Sequence, residues 1–121
     1  MLNTAMTLKT FFSSFDIPAY TLDSVPENVE LPYITYPLVE PELSEQANFY
    51  CQVWYRKNNL GALLTKADQI MAAIGTEKKI PMTGGYLVIY PSTPQMQTLT
   101  DEYSQSVYIN LAINAYHMPG D

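Results

Sequence analysis

Few side chains in this 121-residue chain are of a type that does nucleophilic or acid–base chemistry near neutral pH: one cysteine, Cys51, and one histidine, His117. A reactive cysteine needs a neighbouring cation or helix N-terminus to lower its pKa, and none adjoins Cys51 in FYCQV. It reads as a buried structural thiol. A catalytic His117 would need a nucleophile and an orienting carboxylate, and no motif supplies them. Two carboxylate pairs, Glu40 and Glu42 around Pro41 and the adjacent Asp101 and Glu102, have the chemistry to hold a hard cation or share a proton. On loops they read as solvated charge. Gly84-Gly85 lacks the third glycine and following helix of a dinucleotide loop, and no GKS or GKT follows, so it reads as a turn. A single cysteine excludes an internal disulfide and a single histidine excludes a multi-histidine metal centre. The expectation is a protein with no catalytic, cofactor or metal site.

Charge narrows the partners. Six Lys+Arg against twelve Asp+Glu leave −6, which argues against general affinity for nucleic acid or anionic membranes. Seven of the twelve acids fall between residues 16 and 45, and no lysine or arginine occurs between Lys9 and Arg56, so that stretch should form an acidic surface. The first fifteen residues hold no apolar run of the length a signal peptide or membrane span needs, which points to a soluble, reducing compartment. With 47% hydrophobic residues the chain has material for a core, and its length suits one domain over residues 1–121.

The elements that would position these groups follow from periodicity. Leu2, Met6, Leu8, Phe11, Phe12 and Phe15 recur at helical spacings, predicting an amphipathic helix that ends before Pro18. Asp16 to Glu30 reads as an extended connector. Leu31 to Val39 has strand composition, but Pro32 and Pro37 assign it to a sheet edge or a bulge. Ala47 to Lys57 alternates cleanly, with Phe49, Cys51, Val53 and Tyr55 opposite Asn48, Tyr50, Gln52, Trp54 and Arg56. Asn59 is placed to cap a helix whose stripe is Leu60, Leu63, Leu64, Ala67, Ile70, Met71 and Ile74, closed by Gly75. After TEKKIPM and the glycine turn, Tyr86 to Tyr90 reads as a short strand, with Leu87 and Ile89 opposite Tyr86, Val88 and Tyr90. Pro91 to Tyr103 reads as a long polar loop. Ser104 to His117 alternates again, placing Val107, Ile109, Leu111, Ile113 and Ala115 against Tyr108, Asn110, Asn114 and Tyr116. The sum is an α+β domain: about four mostly antiparallel strands with two helices on one face, in the order α-β-β-α-β-β.

Ten tyrosines are the least ordinary feature. If both helices cover the aliphatic face, the other presents Tyr50, Trp54, Tyr90, Tyr108 and Tyr116 among Asn48, Gln52, Asn110 and Asn114 with nothing in the chain left to cover it. A charge-poor aromatic surface with hydrogen-bonding tips has the composition of a protein–protein interface core. The plainer alternative is a solvated sheet face whose tyrosines shield the backbone.

The stretch LPYITYPLVEPE, the strand NFYCQVWYRKNN, the helix running to Gly75 and the late strand VYINLAINAY together resemble small tail terminator (tail completion, neck) proteins of tailed bacteriophages. The resemblance implies a non-enzymatic virion protein forming a hexameric ring on the head-proximal end of the tail tube. Such a ring stops tube polymerisation and offers a surface to the head–tail connector or stopper protein. DNA would pass through without specific binding, and six copies at −6 each would carry −36. On this reading Tyr33, Tyr36, Tyr50, Trp54, Tyr90, Tyr108 and Tyr116 serve the oligomer or tail interface, while Glu40, Glu42 and Glu45 face the channel or joining surface. The loops Pro81 to Gly85 and Pro91 to Tyr103 would reach a neighbour. Alternatives are a head–tail stopper or other minor neck protein and, in a different class, a small α+β domain using the tyrosine face as a ligand platform.

Overall fold

The structure, a computed structural model, describes residues 1–42 and 45–117. It is α+β, with helices α1 (Leu2–Phe12) and α2 (Leu60–Ile74) and strands β1 (Ala19–Thr21), β2 (Tyr33–Tyr36), β3 (Ala47–Arg56), β4 (Lys78–Met82), β5 (Gly85–Thr100) and β6 (Ser104–His117). All six strands join one sheet in the order β1-β2-β3-β6-β5-β4; β1 and β2 are parallel and the other pairs antiparallel. The sheet curls, and α1 touches both marginal strands, β1 and β4. Among the described residues no helix is long and apolar enough to cross a membrane.

The centre forms as its alternation dictates. β3 and β6 pair from Ala47↔Ile113 to Arg56↔Ser104, which puts Phe49, Cys51 and Val53 beside Leu111, Ile109 and Val107 on one face. These meet Leu63, Ala67, Ile70 and Ile74 of α2 and Leu8, Phe11 and Phe12 of α1 in one buried cluster. Each of the Val, Leu, Ile and Phe side chains among them, once fully buried, contributes roughly 1.5–3 kcal/mol. Lys66 Nζ donates to the Phe15 carbonyl at 2.7 Å and ties α2 to the turn that follows α1. α2 stops at Gly75, whose φ of +61 suits a residue without Cβ.

Several expectations are corrected. The sheet has six strands, not about four, and the order is α-β-β-β-α-β-β-β. β1 lies inside the supposed connector; three residues show no period, and the strand is held by pairing with β2, aided by Ile34 N–H donating to the Pro18 carbonyl at 2.8 Å. β4 is the KKIPM link, a margin strand where lysines and a proline are tolerated because one edge needs no ladder. β2 is not the edge: Pro32 and Pro37 lie just outside its ends and β1 flanks it.

The polar stretch after Tyr90 is strand, since β6 offers a partner along its length. The register slips between Pro91 and Met96, where Asn110 Nδ2 donates to the Pro94 carbonyl at 2.7 Å. In the helices Leu2, Met6, Leu60 and Leu64 are exposed although they fit the apolar period, and Thr4 is buried instead. Asn59 sits at the start of α2, but its side chain makes no capping hydrogen bond.

Candidate functional site

The face of the sheet opposite the helices is assembled by register. Tyr33 pairs with Trp54 and Trp54 with Ser106; Gln52 pairs with Tyr108 and Tyr50 with Asn110; Tyr86 pairs with Tyr116. Cross-strand partners share a face, so these side chains lie together. At one end Tyr20, Tyr33 and Trp54 form a row, with ring centroids 6.0 and 6.1 Å apart. Tyr50 and Tyr108 pack at 5.2 Å in the middle. Tyr86 and Tyr116 stack at 4.9 Å towards the other end, with Lys79 Nζ 4.1 Å above the Tyr86 ring. Such aromatic pairs add about 0.5–1.5 kcal/mol each beyond area burial.

Beneath the rings lies a closed floor. Gln52 Nε2 donates to Ser106 Oγ at 2.9 Å, and Trp54 Nε1 donates to Thr35 Oγ1 at 3.0 Å. Thr35, Gln52, Ser106, Asn114, Val88 and Ala112 are buried on this face without any helix above them; Val88 and Ala112 stand outside the main core cluster, and the Asn114 amide makes no side-chain hydrogen bond among the described residues. The aromatic rings shade these residues while remaining partly exposed themselves. Burial, together with the Asp101 charge, raises the pKa of the Tyr33 phenol; burial, aided by contact with Tyr116, raises that of Tyr90. Both remain neutral hydrogen-bond donors near neutral pH.

Six of the seven aromatic residues picked from the sequence therefore share this face: Tyr33, Tyr50, Trp54, Tyr90, Tyr108 and Tyr116. Tyr36 does not. It is 1% exposed, stacked on Phe12 at 4.7 Å, because the pairing of Tyr33 with Trp54 turns residue 36 to the helix side. Its placement at an interface is corrected accordingly. Tyr20, Tyr86 and Lys79 were missed. The signal for Tyr86 was its common parity with Tyr90; Tyr20 and Lys79 sat in segments without period.

Glu40, Glu42 and Glu45 are exposed in the link between β2 and β3, with Glu40 Oε1 3.5 Å from the Met1 amino nitrogen. Pro81 and Met82 end β4, and positions 91–100 are strand, so neither of the two proposed reaching loops is a loop throughout. Cys51 is fully buried, its thiol pushed up to about 12 by that burial. His117 is exposed where β6 ends opposite Gly85. Asp101 accepts from Tyr103 N–H, Ser104 N–H and the Ser104 hydroxyl at 3.0 Å each, which holds its carboxyl below the usual range and organises the β5–β6 turn. No cluster of metal-ligating side chains occurs among the described residues.

No protein-family model matches the chain, and no curated protein does. A solved structure whose name carries no functional description is similar in fold, with TM-score 0.56 and 13% identity over 98% of this chain and 94% of its own. That likeness is one of fold.

Proposed function

We propose that this chain is a structural assembly subunit of the phage tail terminator kind, which acts by shape. It forms a ring on the head-proximal end of a tail tube, ends tube growth and hands a new surface to the connector or stopper. The observation that carries the reading is the aromatic face: partly exposed rings over a buried floor in which Gln52 donates to Ser106 and Trp54 to Thr35, with both helices on the opposite side. A partner laid on this face covers apolar ring area while the Gln52 amide and the Trp54 indole N–H keep the acceptors they already have, which favours a net gain on association. Tyrosine and tryptophan are also the residues in which interface energy concentrates. The PYITYPL segment that resembles tail terminators agrees with it. Glu40, Glu42 and Glu45 would face passing DNA or the joining surface, where negative charge disfavours phosphate binding.

Co-sedimentation with tail tubes tests this reading. Tyr50→Arg and Tyr108→Arg should abolish capping while thermal unfolding stays close to that of the parent chain. Capping at parental levels by both variants would overturn it.

A further inference from the structure

The two margins of the sheet carry opposite charge. β1 is one margin, flanked by Asp16 and Asp23, with Glu27 and Glu30 following; β4 is the other and begins with Lys78 and Lys79. The two lysines serve different faces. Lys79 lies over Tyr86, in a pocket shared with Glu77, whereas Lys78 lines a groove on the helix side. This groove, of about 380 Å³, runs between α1 and β4; Met6, Phe11, Ile80 and Met82 supply apolar walls, and no carboxylate lines it among the described residues. One wall is fixed where Asn3 Nδ2 donates to the Thr83 carbonyl at 3.2 Å. Met6 is left 60% exposed in it.

At the opposite margin, the turn that leaves β1 presents Leu22, 42% exposed, followed directly by Asp23. Neither Asp23 nor Lys78 makes an ion pair within the chain among the described residues. An apolar knob beside a carboxylate at one edge thus matches an apolar groove beside an ammonium at the other.

We infer that these margins join copies of this chain head to tail: Leu22 of one copy enters the α1–β4 groove of the next, and Asp23 pairs with its Lys78. Because the two patches differ, the contact is heterologous; it closes into a ring where the rotation between copies allows. Pro81 in β4 removes a donor from that strand, which favours side-chain docking over continuation of the sheet. The inference rests on the ring reading above and names the contact that would build the ring, leaving the aromatic face to other contacts.

The test is a charge swap followed by sedimentation velocity, with thermal melts to confirm folding. Lys78→Glu and Asp23→Lys alone should each weaken self-association at least about tenfold, since each sets like charges face to face. The double variant, and an equimolar mixture of the two single variants, should recover it. The mixture is the stricter arm, because only a contact between copies is rescued in trans. Parental association by both single variants, or a mixture no better than its components, would overturn the contact. If rings persist in the charge variants but are lost in Tyr50→Arg and Tyr108→Arg, this contact falls and the assembly reading stands. If the parent chain forms no ring alone or on tubes, both fall.

Discussion

The two faces of this sheet are made by alternate residues of the same strands, and they meet their packing needs differently. On one side Cys51, Val53, Ile109 and Leu111 are fully or almost fully buried beneath α1 and α2. On the other, Gln52 and Ser106 are almost as buried, yet what hides them is a set of rings that stay partly exposed. The first face is finished within the chain. The second is finished only at its floor, and its upper surface keeps the area and the donors an incoming partner uses. A face need not be greasy to be incomplete: pairing Gln52 with Ser106 and Trp54 with Thr35 first lowers the polar cost of a later contact.

Adjacent residues of β6 should separate the two faces. Ile109→Ala empties a fully buried position against α2 and should cost about 2–5 kcal/mol in urea unfolding. Tyr108→Ala, one residue earlier, should cost about 1 kcal/mol or less in the same experiment, because it removes cross-strand contacts without opening the core. Equal costs would erase the distinction. Gly85→Ala tests the pairing that fixes both faces: an added Cβ collides with the Tyr116 carbonyl oxygen, so β5 must move off β6. Its expected cost is about 1–3 kcal/mol, with weaker hydrogen-exchange protection of the Gly85–Tyr90 amides. Ser106→Ala probes the aromatic floor alone. Losing the acceptor of Gln52 Nε2 should cost about 1–3 kcal/mol, and an unchanged unfolding midpoint would mean that the floor is wet.

The smallest effect belongs to the turn that joins β5 to β6. Asp101 has a folded pKa below its ordinary 3.8, so its contribution is fully present above that value and is lost as pH falls through the folded pKa. The stability difference between the parent chain and Asp101→Asn should therefore be constant near neutrality and shrink under acid. A difference that grows as pH falls would contradict the sign.

What the sequence made legible was whatever a strand or helix encodes by itself. β3, β6 and α2 carry enough alternation or helical period to be read directly, and they place Tyr50, Trp54, Tyr108 and Tyr116 on one side. β1, β4 and the outer half of β5 exist because a neighbour offers backbone partners, and their own residues, AYT, KKIPM and PQMQTLT, show no pattern that says so. Tyr36 failed for a related reason. Two prolines hid where β2 begins, and the side that residue 36 takes is decided by β3, fifteen or more positions further along the chain. The groove beside α1 was not legible at all, since it needs β4 to be a strand.

Radical footprinting of tyrosine and tryptophan, in the free chain and in the assembled particle, tests the central claim most directly. Tyr33, Tyr50, Trp54, Tyr90, Tyr108 and Tyr116 should be labelled in the free chain and become protected on assembly, with buried Tyr36 inert in both states. Undiminished labelling of those six residues in the complete particle would show that the aromatic face is an ordinary wet surface and contradict the account.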